Sequence, residues 1–216
     1  MKRREFSLGA AAVVTAGVAP LSSVQAQPVK PREGKDYYVL DKRVPVEAAA
    51  GKIEVIEFFW YSCPHCNAFE PAFDAWMKAA PKDVVVKRVP VAFRDDFGPQ
   101  QRLYYALEAL GKLDELHRKV FTAVHAERQA LNRDPLIIAW AEKQGLDKAK
   151  FTEAYNSFTV ANKVRRAVQL QEAFKVEGVP SLGIAGRYYT DGSLTGNMGR
   201  ALQVADFLIA QERQSR

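Results

Sequence analysis

The chain has 216 residues, 48% of them hydrophobic and 26% charged, with a net charge of +6 and two cysteines. That is enough for one large domain or two small ones with a sizeable core, and it excludes a disordered chain. Two cysteines close at most one bridge, which excludes a disulfide-stapled scaffold, and with three scattered histidines they support a closed zinc cage poorly.

Residues 1–26 read as a cleaved signal peptide. Lys2, Arg3 and Arg4 form a basic start. Residues 8–21, LGAAAVVTAGVAPL, are weakly apolar and too short to span a bilayer. Val24-Gln25-Ala26 fits a small-x-small cleavage site, which predicts a mature start at Gln27. A retained anchor or amphipathic tail is the alternative. The adjacent Arg3 and Arg4 fit a twin-arginine signal as well as a general secretory one, and either route leads to an oxidising bacterial envelope. Cleavage lowers the charge from +6 to +4, and no Lys/Arg-rich run follows, so nucleic acid is not an expected partner.

Residues 27–36 are expected to be extended, and Tyr37–Leu40 to form a short strand. Ile53–Trp60 is β-branched and aromatic and predicts a central strand buried on both faces. A helix follows from His65 to Ala79, with Pro71 expected to kink it. Val84–Val89 is the next strand, ended by Pro90. From Pro99 to Lys175 the period changes to that of helices: Gln100–Leu110 stopped by Gly111, then Leu113–Arg128. A third runs from Asp134-Pro135, read as cap and first residue, to Gln144; a fourth is capped by Asp147, and a fifth spans Val160–Lys175. Ser181–Ala185 and Tyr188–Thr190 read as a hairpin about Gly186-Arg187, and a helix from Met198 to Gln211 closes the chain. The reading is a discontinuous sheet domain, 27–98 with 176–216, hosting a helical domain over 99–175.

Cys63-Pro64-His65-Cys66 stands where the central strand meets a helix. Unpaired N–H groups and the positive end of the macrodipole favour a thiolate there. Cys63 takes the exposed place and is the expected nucleophile, or the sulfur that a substrate thiol attacks; Cys66, one turn in, is the shielded resolving partner. Pro64 stiffens the loop, and a protonated His65 would add positive charge beside Cys63. A more acidic thiol makes the disulfide a stronger oxidant. Half a zinc site and an inert disulfide are the competing readings.

Glu57-Phe58-Phe59-Trp60-Tyr61-Ser62-Cys63-Pro64-His65-Cys66-Asn67-Ala68-Phe69-Glu70 closely resembles the active site of the DsbA family. These are periplasmic thiol:disulfide oxidoreductases with a thioredoxin-like fold, α/β, interrupted by an inserted α-helical domain. The resemblance covers the mature chain and implies a dithiol oxidase that passes a Cys63–Cys66 disulfide to newly exported or unfolded cysteine-containing proteins. It implies reoxidation by a quinone-linked membrane partner of the DsbB type, no bound cofactor and no metal, and the expected state is a monomer. It also makes Pro180, in Gly178-Val179-Pro180, a cis-proline facing the cysteines, with Val179 offering backbone groups to a substrate strand.

Glu57, on the central strand, is expected to be buried with a raised pKa, and the resemblance makes it the acid that relays protons for Cys66. Arg88 can pair with Glu57 or Glu70. A solvated Glu70–Arg88 pair and a tuning role are equally open, and the family more often has lysine near Arg88. His117 and His125 are eight apart, where helical metal ligands are usually four apart, and are read as structural or surface residues. Phe69, Phe73, Trp76, Tyr104 and Phe121 read as core; Trp60 and Tyr61 are candidates for an apolar rim. A reductase or isomerase, a peptide-binding chaperone with an idle disulfide, and a metal-binding cysteine pair are the rival functions.

Overall fold

The computed structural model describes residues 29–215; the signal peptide and its cleavage site lie outside them. Five strands form one sheet in the order β1-β5-β4-β2-β3: β1 is Tyr38–Val39, β2 Ile53–Phe59, β3 Val84–Pro90, β4 Ser181–Ile184 and β5 Tyr188–Asp191. The second strand runs parallel to β3 and antiparallel to β4, and all seven of its residues are buried, as its apolar run predicts. Alternation along a strand then assigns the faces. Ile53 and Val55 pack with Phe69 and Phe73 of α1 (Pro64–Ala79) and with Leu208 of α8 (Met198–Gln214). Glu57 has the same parity, so the pleat aims it at α1.

On the opposite face, Ile56 and Phe58 join the core of the helical block: α2 (Gly98–Ala109), α3 (Leu113–His125), α4 (Asp134–Lys143), α5 (Lys148–Tyr155) and α6 (Phe158–Ala173). All five lie between β3 and β4 in the chain. The Phe174 ring sits 5.3 Å from that of Phe58. It occupies the space a side chain on Gly183 would need, since a Cβ there would meet Phe174 at 2.4 Å.

Several boundaries differ from the sequence reading. Residues 34–36 form a turn rather than extended chain, with the Asp36 carboxylate accepting from the Arg32 N–H. The third helix stops at His125, before Arg128, which has φ of 55°. Asp134 is the first residue of α4 rather than its cap; it pairs with Arg102 and accepts from the Tyr155 hydroxyl. The sixth helix starts earlier, because Ser157 caps it on Val160 N–H. Asp147 caps α5 as expected. Ala185 and Gly186 both have positive φ, the geometry of a tight hairpin turn. A 3₁₀ turn at Asp95–Phe97 and the short α7, Gly192–Thr195, have no counterpart in the sequence reading.

Candidate active site

The second strand ends at Phe59 and the chain turns through Trp60-Tyr61-Ser62 into α1. Cys63 is the N-cap of that helix, and its Sγ accepts from the Cys66 N–H at 3.4 Å. Pro64 occupies the first turn, where the missing N–H costs nothing. Both cysteines are free thiols in this structure. Cys63 retains 7% exposure and Cys66 none, while Pro64 and His65 are exposed. The Val179–Pro180 bond is cis, and the Cys63 Sγ lies 3.4 Å from the Val179 carbonyl oxygen. Beside this contact lies a cleft of about 610 Å³, lined by His65, Ala68, Phe69, Val179, Pro180 and Met198 among others.

The two sulfurs are held at opposite ends of the acidity scale. Cys63 is lowered to about 6, first by the Cys66 thiol donating to its sulfur, then by the backbone N–H groups of Cys66 and His65 and by the nearby His65 ring; burial opposes them. Cys66 is pushed far up by burial, then by Cys63 itself, with Glu57 adding to the rise. A thiolate at the mouth and a thiol beneath it is therefore the favoured reduced state.

Under Cys66 lies a buried ionic cluster. Register on the sheet sets Glu57 opposite Arg88 of β3, and the Arg88 Nε donates to Glu57 Oε2 at 3.0 Å. The Arg88 Nη2 donates to Glu70 Oε2 at 3.0 Å and to Asp74 Oδ1 at 2.6 Å, both on α1. The guanidinium also lies over the Phe73 ring. Glu57 and Glu70 are wholly buried, and Asp74 is 31% exposed. Burial, with the Glu70 charge, raises Glu57 well above the carboxylate range, although Arg88 opposes it. Burial would raise Glu70 too, but His117, Arg88 and Arg118 outweigh it and Glu70 is lowered.

The family model described as a DSBA-like thioredoxin domain matches residues 88–201. The chain is 47% identical over 189 residues to the thiol:disulfide interchange protein DsbA of Bordetella parapertussis, covering 87% of this chain and 90% of that protein. It is 43% identical over 187 residues to the protein of that name from Burkholderia cepacia, covering 87% and 88%. The crystal structure of Pseudomonas aeruginosa DsbA superposes with a TM-score of 0.80 at 37% identity, over 84% of this chain and 94% of that one. The oxidoreductase DsbA from Xylella fastidiosa also gives 0.80, at 29% identity, over 85% and 98%. The chain belongs to the DsbA family of thiol:disulfide oxidoreductases.

Within this DsbA-family site, Cys63, Cys66, Pro64, His65, Val179 and Pro180 gather at the mouth, and Glu57, Glu70 and Arg88 beneath it. Arg88 serves both carboxylates at once, and the Glu70 pair is buried rather than solvated, because β3 and α1 close over it. Tyr61 is fully buried and forms no rim, while Trp60 is half-buried and stacked on Phe97 at 3.8 Å.

Four further residues belong to the site. Asp74 could have been found, since it lies one helical turn beyond Glu70 on α1. Gln100 donates to the Ser62 hydroxyl at 2.8 Å and so steadies the residue before Cys63. His125 Nε2 lies 2.8 Å from the Tyr61 carbonyl and is its donor. His117 is buried, with Nδ1 2.9 Å from the Tyr61 hydroxyl and Nε2 3.3 Å from Glu70 Oε1. Neither histidine is a plain surface residue; both come from α3 and meet the site only in three dimensions. Among the described residues no cluster of three or more His, Cys, Asp or Glu side chains is arranged to hold a metal.

Proposed function

We propose that the chain is a disulfide donor of the bacterial periplasm, exported by its N-terminal signal and acting on newly exported, cysteine-containing proteins. The asymmetry of the two sulfurs carries this reading. A client thiolate attacks Cys63 Sγ, the Cys63–Cys66 bond breaks, and the electron pair leaves on Cys66. Cys66 is buried and does not keep a charge, so it takes a proton, which Glu57 supplies. A second client thiolate then attacks the client sulfur of the mixed disulfide. Cys63 leaves as the stabilised thiolate, and the client holds the new disulfide. Two electrons have passed to the cysteine pair, which leaves the protein as a dithiol.

The client segment lies as an added strand against Val179, with Pro180 keeping the backbone beside Cys63 open, and its side chains enter the cleft between α1 and the start of α8. Glu70 and Arg88 tune the floor, and Pro64 and His65 the mouth. A quinone-linked membrane protein of the DsbB type reverses the electron flow. The protein works as a monomer without metal or bound cofactor, with 99–175 as the inserted domain and 27–98 and 176–216 as the thioredoxin-like one. The test is oxidative refolding of a reduced client with the oxidised protein. Client disulfides should form with equimolar loss of the Cys63–Cys66 bond, and a Cys63→Ala variant with undiminished activity would overturn the reading.

A further inference from the structure

One buried titratable group has no part in that exchange. His117 sits on α3, among the inserted helices, yet both of its hydrogen-bond partners belong to the active-site floor. Those partners fix its tautomer. Glu70 is held ionised and can only accept, so Nε2 carries the ring hydrogen and donates to Glu70 Oε1. Nδ1 is then the acceptor, and the Tyr61 hydroxyl, which burial keeps protonated, donates to it. Burial also lowers the imidazole itself, so the ring is neutral. The Phe59, Tyr104 and Phe121 rings pack edge-on around it at 5.3 to 5.9 Å and hold its plane.

The consequence lies in the division of one guanidinium among three carboxylates. Asp74 is partly exposed and can draw on water, whereas Glu70 and Glu57 cannot. Glu70 has donors on both oxygens, from Arg88 and from His117, with Arg118 at 4.0 Å. Among the described residues Glu57 has one donor, Arg88 Nε, and its Oε1 has none. We infer that His117 is a positioning residue for the redox centre: its Nε2–H satisfies Glu70, which leaves the Arg88 Nε to Glu57 and keeps that carboxyl poised beside Cys66. Without His117, Glu70 draws Arg88 toward itself. Glu57 then parts with its proton less readily, and Cys66 loses its base when the dithiol is reoxidised. The charged and titratable groups that face Glu57 among the described residues include Arg88 from β3, Glu70, Asp74 and Cys66 from α1, and Tyr104 from α2.

The inference rests on Glu57 relaying the Cys66 proton, and the experiment separates the two. The reduced full chain is mixed with glutathione disulfide across a range of pH, and closure of the Cys63–Cys66 bond is followed after glutathione has attached to Cys63. His117→Phe keeps a ring among the aromatic neighbours and removes both hydrogen bonds. It should slow closure at neutral pH by about three- to tenfold, part of what a hydrogen bond to a charged group contributes, and move the pH midpoint upward. His117→Gln, which retains an N–H for Glu70, should restore most of the rate. Glu70→Gln, which ends the competition for Arg88, should move the midpoint downward and serves if the phenylalanine variant does not fold. An unmoved midpoint in His117→Phe, or in Glu70→Gln, would overturn the inference. Glu57→Gln tests the relay itself: if its profile matches the parent, the relay reading falls. If Glu57→Gln changes the profile and His117→Phe does not, only the role of His117 falls. In the Glu57→Gln background, His117→Phe should add nothing, and further slowing there would count against the inference.

Discussion

At the mouth of the site, the Cys63 sulfur draws most of its stabilisation from neutral donors: the Cys66 thiol and the N–H groups at the start of α1. At the floor, Glu57, Glu70, Asp74 and Arg88 form a buried ionic cluster, with neutral His117 hydrogen-bonded into it. Dipoles fixed by the fold hold a charge in place and need no proton exchange. Coupled carboxylates can give and take protons, which dipoles cannot. On the proposed reading the two regions divide the work: the mouth sets which sulfur is charged, and the floor manages the proton that the buried sulfur must gain or lose.

The largest effect that separates them should come from the cysteines themselves. Cys63→Ser is expected to abolish exchange, while Cys66→Ser, first converted by glutathione disulfide to the glutathione mixed disulfide at Cys63, should be attacked there by a single-cysteine client, release glutathione and hold the client, visible on non-reducing gels. Next is Arg88→Met, which leaves buried carboxylates without their cation. It should cost about 3–5 kcal/mol in urea unfolding, the cost of breaking a buried ion pair. If mouth and floor are separate, Cys63 should still titrate near its parent value in that variant, and a large upward move would merge the two regions.

The pH dependence of stability is smaller and isolates the mouth. The Cys63 thiol titrates at about 6 in the folded, reduced protein, against about 8.5 in an unfolded chain. A depressed acid contributes stability that is complete above the unfolded value and is lost as pH falls through the folded one. The disulfide form has no such group. The stability of the reduced form relative to the oxidised form should therefore fall by about 1.4 kcal/mol per pH unit across that window. Unfolding of both forms at several pH values checks it; a flat difference would refute the assignment. The smallest effect is that of His65→Ser, because the His65 ring is the last of the causes acting on Cys63. Its thiol should move up slightly, by less than the change from losing the Cys66 thiol donor in Cys66→Ala.

Much of this architecture was legible in the sequence because it is local. A β-branched run ending in Cys-Pro-His-Cys identifies strand, turn and helix start together, and the helical period of 99–175 anticipates helices α2 to α6 between β3 and β4. Glu57 stood out as a carboxyl within an apolar strand. What escaped was set by packing between distant segments. His117 lies 47 residues from Glu70, and nothing in the spacing of α3 announces the contact. The burial of the Glu70–Arg88 pair likewise depends on β3 and α1 closing over it, so the sequence left a solvated pair equally open. Tyr61 neighbours the motif, but only the fold turns its ring inward onto His117 and Phe121.

The central claim, that the fold stabilises the dithiol through a Cys63 thiolate above a protonated Cys66 and so makes the disulfide oxidising, is tested most directly by equilibrating the Cys63–Cys66 couple with glutathione. The expected result is a potential well above the roughly −270 mV of thioredoxin, with the protein left reduced at glutathione ratios that keep thioredoxin oxidised. A potential at or below that of thioredoxin would contradict it.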